Sequence, residues 1–200
     1  WNSLTIATLA AVCSTSIATA AAVAMIRGGT FRGRRATFAL INMPLMVPEI
    51  VLAIALLIIL AQVKQATGYT GLGYLIAAHT AFCIPFAYMP IRARLEGMDL
   101  TLERAAADLY ATPWAAFRRV TFPLLWPGIM AGFMLAFVTS LDDVVITLFV
   151  KSAGQDTLPT YMLGQIRRQI TTEVYAISTV LLGLTVVLLT AFFVLTRKKD

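Results

Sequence analysis

The chain has 200 residues, of which 59% are hydrophobic and 13% are charged, and its mean hydropathy is +0.81. These values exclude an ordinary water-soluble domain, in which about a quarter of the residues are charged. The formal net charge of +6 requires no nucleic acid partner, because basic loops beside anionic lipid headgroups account for it. The composition therefore predicts a protein whose solvent is mostly membrane lipid.

Apolar stretches long enough to cross a bilayer recur along the chain. A transmembrane helix needs about 20 apolar residues to cross a hydrocarbon core of about 30 Å. We therefore expect a single all-α transmembrane domain over residues 1–200, folded as a polytopic helical bundle. The predicted spans are residues 3–26, 36–61, 71–91, 124–150 and 174–196.

Basic residues are divided unequally between the connections of these spans. Of the 16 Lys and Arg residues, only four lie in connections on one side of the membrane, namely Lys64, Lys151, Arg167 and Arg168. All the others lie on the opposite side. The positive-inside rule places the richer side, including the C-terminus and the loop 92–123, in the cytoplasm. With five spans, Trp1 lies on the periplasmic side, as does the loop of residues 151–173. Because no initiator Met precedes a span that begins almost at once, we expect a further span upstream of Trp1; a chain with five spans is the alternative.

The cytoplasmic loop has the pattern of two short helices. Residues 102–109 are rich in alanine, with acids near their start, and residues 114–120 follow Pro113, which suits the first position of a helix. Small side chains allow close approach to another backbone, so we predict that this hairpin docks onto a partner. Pro123 and Pro127 are expected to separate it from the next span. The alternative is an amphipathic helix lying on the membrane surface.

This loop resembles the EAA loop of the permease subunits of bacterial ABC importers. That pattern is Glu-Ala-Ala, three residues, Gly, nine residues and then Ile-x-Leu-Pro. Here Arg104-Ala105-Ala106 stands at the triplet, Tyr110 at the glycine and Val120-Thr121-Phe122-Pro123 at the end. Arg104 replaces the glutamate, although Glu103 lies one residue earlier. Tyr110 replaces a glycine that would allow a tight turn, so we expect the turn to find another conformation.

The resemblance implies that the loop couples the chain to a cytoplasmic ATPase. The positions it assigns to this coupling are Glu103, Arg104, Ala105, Ala106, Asp108, Leu109, Tyr110, Ala111, Arg118 and Pro123.

Over nearly all of its length, the chain is similar to the second permease subunit of spermidine and putrescine importers. The similarity is carried by Phe31-Arg32-Gly33-Arg34, by the run from Thr139 to Val145 and by Thr157-Leu158-Pro159. It implies the fold of a type I ABC importer permease in a bacterial inner membrane, with a polyamine or similar small organic cation as cargo. The implied partners are a homologous second permease, two ATP-binding subunits that hold ATP and Mg, and a periplasmic substrate-binding protein.

Three acids fall inside predicted spans. An ionised carboxylate at mid-bilayer costs at least about 2.5 kcal/mol, so these side chains should face protein or water. Glu49 follows Val47-Pro48, which predicts a kink or opening that frees backbone carbonyls beside the acid. Asp142 and Asp143 would diverge by about 100° on a helix, so we expect one to face the cargo and the other a protein partner.

We therefore predict a substrate path formed by Glu49, Ser140, Asp142 and Asp143. The alternative is that these acids only pair with groups of a partner subunit. His79, in the third span, is predicted to be a hydrogen-bonded packing residue.

Other functional classes are less well supported. The sequence has no Gly-x-x-x-x-Gly-Lys-Ser/Thr motif and no metal or Ser-His-Asp arrangement, so we expect a non-catalytic transport subunit without a cofactor of its own. A cationic amino acid, another amine or a metal remains an alternative cargo. An ion-coupled secondary transporter, with the three acids as an ion relay, is a rival class. Adjacent aspartates on one helix argue against an intramembrane enzyme.

Overall fold

The structure is a computed structural model that describes residues 1–29 and 31–168, together with separate residues between 175 and 190. All regular structure within this described part is helical, which confirms the predicted all-α fold class. The helices are α1 (Asn2–Arg27), α2 (Arg34–Met46), α3 (Glu49–Thr67), α4 (Gly73–Glu96), α5 (Thr101–Asp108), α6 (Pro113–Ala116), α7 (Phe122–Asp142), α8 (Val145–Val150) and α9 (Leu158–Arg168), with a π-helical turn at Phe117–Thr121.

Four helical segments of the described residues are long and apolar enough to cross a membrane. They are Asn2–Arg27, Glu49–Thr67, Gly73–Glu96 and Pro113–Asp142. The predicted fifth span, residues 174–196, lies largely outside the described residues.

The core of the bundle lies between α1, α4 and α7, where small residues let the helices approach closely. On α1, Ala11, Ala18 and Ala22 are fully buried at helical spacing. On α7, a side chain added at Gly132 would collide with the carbonyl oxygen of Ala87 on α4. Such contacts depend on van der Waals packing, since lipid supplies no hydrophobic force between helices.

The predicted second span is divided between two helices. Helix α2 ends at Met46, Val47 is extended with φ −95° and ψ 137°, and α3 begins at Glu49 after Pro48. The opening predicted at Val47-Pro48 is therefore confirmed, because a proline cannot continue the hydrogen-bonding of the preceding helix. Helix α2 packs against α4, whereas α3 packs against α8.

Both predicted helices of the loop are present, but the second continues into the membrane. Helix α6 begins with Pro113, as predicted, and Thr112 caps it by accepting a hydrogen bond from the Ala115 N–H at 3.3 Å. The expected separation at Pro123 is wrong, since one helical rod runs from Pro113 to Asp142. The π-helical turn ends just before Pro123, where a proline would otherwise disrupt a regular helix.

Tyr110 adopts the conformation of the glycine that it replaces. Its φ is +57°, in the left-handed region, so the expectation of another turn conformation is wrong. The Tyr110 N–H donates to the Ala107 carbonyl at 2.9 Å and the Ala111 N–H to the Ala106 carbonyl at 3.0 Å. This pair of bonds is a Schellman motif, which satisfies the last carbonyls of α5 and offsets the strain of a left-handed tyrosine.

Candidate functional site

The transmembrane rod of α7 ends at a break formed by Asp143 and Val144. Asp143 is extended, with φ −63° and ψ 134°, and α8 starts two residues later. Its buried carboxylate accepts hydrogen bonds from the backbone N–H groups of Ile146 at 3.2 Å and Thr147 at 2.9 Å, and from the Thr147 hydroxyl at 2.9 Å. Asp143 therefore caps α8, whose first N–H groups would otherwise be unpaired away from water.

His79 joins the two sides of this break from α4. The ring is fully buried, with Nδ1 at 2.8 Å from the Ser140 hydroxyl on α7 and Nε2 at 3.0 Å from the Thr147 hydroxyl on α8. Nε2 also lies 3.4 Å from the Asp143 carboxylate. The prediction that His79 is a hydrogen-bonded packing residue is confirmed, and its partners show that it braces three helices.

The two adjacent aspartates have opposite environments. Asp143 is 6% exposed, whereas Asp142 is exposed at the end of α7, and its carboxylate has no hydrogen-bond or ion-pair partner among the described residues. The two side chains therefore differ in burial, but Asp143 lies outside the helix from which their divergence was predicted.

Glu49 reaches the same break from the start of α3. Its side chain is exposed, and its carboxyl lies close enough to that of Asp143 for the two groups to interact. Two neighbouring carboxylates repel each other unless a proton or a cation lies between them. The structure thus places Ser140 and Asp143 beside His79, and Glu49 near Asp143, with Asp142 exposed at the same break.

Sequence reasoning missed Thr147 as a member of this site. Its spacing gave no clear signal, since a capping aspartate bonds to the N–H groups two or three residues later, whereas Thr147 lies four residues after Asp143.

At one end of the bundle, Glu103 of α5 is tied to other helices. Arg27 at the end of α1 donates to it through Nε at 3.2 Å, and the Thr121 hydroxyl of the π-helical turn donates at 3.1 Å. The Arg27 Nη2 group also donates to the Leu95 carbonyl of α4 at 3.2 Å. Glu103 therefore fixes the hairpin to the bundle and lines a groove of about 880 Å³ between α1 and the hairpin.

Most of the other predicted coupling positions face outward. Leu109 is 82% exposed and Tyr110 is 97% exposed, and neighbouring Trp114 is 68% exposed. The Thr101 N–H donates to Asp99 at 2.9 Å at the start of α5, and this bond lowers the pKa of that carboxyl. Ala106 and Ala111 are half-buried, whereas the remaining exposed positions are Arg104, Ala105, Asp108, Arg118 and Pro123.

The connection that follows α8 is held at the opposite end of the bundle. The Lys64 ammonium donates to the Ser152 hydroxyl at 2.7 Å, and the Gln155 amide donates to the Thr70 carbonyl at 2.9 Å. The Leu158 N–H donates to the Ser3 hydroxyl at 2.6 Å. The loop between α8 and α9 is therefore anchored to both α1 and α3.

The fold is that of the membrane subunit of an ABC importer. It superposes with a TM-score of 0.81 on a chain of the MetNI methionine ABC transporter in an inward facing conformation, covering 98% of this chain and 92% of that one at 18% identity. Residues 5–198 match the family described as the binding-protein-dependent transport system inner membrane component, and the chain belongs to that family.

Relatives within this family are polyamine permeases by name. The chain is 37% identical over 184 residues to the putrescine transport system permease protein PotI of Escherichia coli K12, covering 90% of this chain and 66% of that protein. It is 33% identical over 199 residues to the spermidine/putrescine transport system permease protein PotC of Haemophilus influenzae, covering 100% of this chain and 76% of that protein. The chain thus spans about two thirds to three quarters of these relatives.

Proposed function

We propose that this chain is the membrane-spanning permease subunit of an ATP-driven importer that moves putrescine, spermidine or a similar small organic cation into the cytoplasm. The observation that carries the proposal is the exposed carboxylate of Asp142 at the helix break, which has no partner among the described residues, with Glu49 at the start of α3. An ammonium group offers several N–H donors and is best met by carboxylates and carbonyls. The names of the relatives support the same cargo.

The predicted path residues have different roles in this proposal. Asp142 and Glu49 meet the cation, since both are exposed. Asp143 and Ser140 are positioning residues, because their polar atoms are already engaged by Thr147 and His79. Together they fix the geometry of the break between α7 and α8, so that the Asp142 side chain remains beside the path.

The assembly around the chain is also part of the proposal. The chain lies in a bacterial inner membrane with the hairpin and the C-terminus in the cytoplasm and Trp1 on the periplasmic side. It pairs with a homologous permease, receives cargo from a periplasmic binding protein and contacts two ATP-binding subunits, which hold ATP and Mg. Membership of a binding-protein-dependent family supports these partners.

The hairpin suits the transmission of movement from an ATPase. Its exposed surface, formed by Leu109, Tyr110 and Trp114, is free to dock, while Glu103 on its inner side is bonded to Arg27 of α1. A displacement of the hairpin therefore reaches α1 through an ion pair and α7 through the continuous rod that begins at Pro113. Both helices pack in the core of the bundle, so the path between subunits can change with the state of the ATPase.

Uptake of radiolabelled putrescine and spermidine into proteoliposomes tests this function. The vesicles hold the whole assembly with its binding protein and internal ATP. We expect Asp142→Asn to lower uptake at limiting amine by at least about tenfold, because a hydrogen bond to a charged group contributes about 1.5 to 3 kcal/mol. Asp142→Glu, which keeps the charge, is the matched control and should retain more of the uptake.

Three other results would contradict parts of the proposal. Uptake that follows an ion gradient and ignores ATP would indicate a secondary transporter. Uptake of a cationic amino acid or a metal, with neither amine carried, would reject the cargo and keep the importer. Equal uptake by the wild type and Asp142→Asn would remove Asp142 from the path.

A further inference from the structure

A cavity lined in part by charged side chains lies away from the helix break, at the end of the bundle that carries the hairpin. It has a volume of about 380 Å³ and lies between the end of α1, the start of α2 and the end of α4. The residues that line it are Met25, Ile26, Arg34, Arg35, Phe38, Tyr88, Arg92 and Glu96.

The charge of this cavity is positive. Three arginines and one glutamate line it, so the formal charge of the lining is three minus one, or +2. Glu96 is paired with Arg92 through a 2.8 Å contact. The guanidinium groups of Arg34 and Arg35 have no hydrogen-bond or ion-pair partner among the described residues. The cavity is therefore unsuited to a cationic cargo and suited to an anion.

Tyr88 adds a hydrogen-bond donor to the cavity. The residue is 1% exposed and lines the cavity, and its hydroxyl makes no hydrogen bond within the described part of the chain, so it is free to donate to a ligand there. Arg34 and Arg35 also stand in the first turn of α2, where cations oppose the helix dipole and where Gly33 offers no side-chain cap. A bound anion would reverse this penalty.

The surroundings of the cavity are apolar on one side. Met25, Ile26 and Phe38 line it, and the Arg92 guanidinium lies 5.3 Å from the centre of the Phe38 ring. Further along α2, Leu40 is 69% exposed and Met46 is 81% exposed. An anionic group in the cavity would thus have an apolar helix surface beside it, as a headgroup with attached acyl chains requires.

We propose that this cavity binds the phosphate headgroup of an anionic phospholipid. The two free guanidinium groups and the Tyr88 hydroxyl donate to the phosphate oxygens, and the acyl chains lie along α2. Arginine is well matched to phosphate because its planar fork donates two parallel hydrogen bonds. Basic pockets between membrane helices bind lipid headgroups in the same manner.

Native mass spectrometry of the intact assembly, purified from nanodiscs with equal phosphatidylglycerol and phosphatidylcholine, tests this site. We expect the wild type to retain phosphatidylglycerol and the double variant Arg34→Gln/Arg35→Gln to retain it about tenfold less, since each basic residue adds to the attraction of an anionic lipid. The matched control is Arg32→Gln/Arg119→Gln, which removes the same charge from exposed residues that do not line the cavity. It should retain the lipid as the wild type does.

Tyr88→Phe keeps the packing and removes only the hydroxyl, so it tests the site even where the double variant does not assemble. We expect it to lower phosphatidylglycerol retention about threefold, as the loss of one hydrogen bond does. Unchanged retention in both cavity variants, or equal loss in the cavity and control variants, would overturn the site. Binding of added inorganic phosphate without any preference for phosphatidylglycerol would overturn the lipid assignment. Retention is measured without cargo or ATP, so its outcome is separate from that of the transport assay.

Discussion

The break between α7 and α8 and the turn between α5 and α6 interrupt helices in two different ways. At the break, the Asp143 side chain satisfies the first N–H groups of α8, and His79 of α4 holds this carboxylate and Thr147 in one buried network. At the turn, backbone bonds and the Thr112 cap close the helix ends, and Leu109 and Tyr110 point outward. Inside a membrane no water can form hydrogen bonds to the unpaired backbone groups of a broken helix, so side chains must do so. At the membrane surface the side chains remain free to bind a partner. Substitutions should therefore affect folding at the break and recognition at the turn.

The largest effect is expected from Asp143→Ala. This change removes the carboxylate that accepts from the buried N–H groups of Ile146 and Thr147, so it should lower the free energy of unfolding by about 3 to 5 kcal/mol, since each unpaired buried donor costs about 1 to 3 kcal/mol. The thermal unfolding midpoint of the purified assembly measures the loss. Asp142→Ala is the control, since its exposed side chain has no described partner, and it should leave the midpoint nearly unchanged. Equal shifts in both variants would contradict the separate roles of the two aspartates.

An intermediate effect is expected from Glu103→Gln, which weakens the attachment of the turn to the bundle. The carboxylate is about one fifth exposed and bonds to Arg27 and Thr121. Its loss should therefore destabilise the attachment of the hairpin to the bundle by about 1 kcal/mol. Hydrogen exchange of the α5 amide groups should become about fivefold faster. Asp108→Asn removes a charge from the same helix without breaking a described bond and serves as the control. If both variants exchange alike, the ion pair does not hold the hairpin.

The smallest effect is expected from Tyr110→Gly, which should distinguish the effect of the backbone conformation of the turn from the effect of its exposed side chain. Glycine adopts a positive φ without strain, so the turn should become more stable by about 0.5 to 1 kcal/mol. Removal of the 97% exposed ring should at the same time weaken the association with the ATPase. Slower exchange of the Ala111 amide and a higher Kd of the ATPase complex would be the two readouts.

Tyr110→Ala is the matched control for that experiment, because it removes the ring and keeps the strain. It should raise the Kd without slowing the exchange. An unchanged Kd in both variants would show that the ring is not part of the docking surface.

Sequence patterns predicted the interruptions that proline causes. Pro48 opens the second crossing and Pro113 starts α6, because the chemistry that decides both positions is local. Pro123 was misleading, since the π-helical turn before it allows the helix to continue. The effect of a proline on a helix thus depends on the geometry of the preceding turn, which the sequence does not reveal.

The break at Asp143 could not be predicted in the same way. The run from Leu141 to Val145 contains neither glycine nor proline, and local preference alone would continue the helix. The break is stabilised by His79, which lies 64 residues earlier in the sequence and contacts both sides of it. Sequence reasoning found the acids of the site but not this dependence on a distant residue, because only the packing of α4 against α7 and α8 brings them together.

The extended pair Val47 and Pro48 gives the second crossing a different mechanical character from the rest of the bundle. The Val47 N–H donates to the Met43 carbonyl of α2, and the Pro48 carbonyl accepts from the N–H groups of Val51 and Leu52 in α3. The proline ring fixes its own φ and restricts the residue before it, so the pair is a rigid corner between two helix axes rather than a swivel. The position of Glu49 therefore depends both on this corner with α2 and on the packing of α3 against α8.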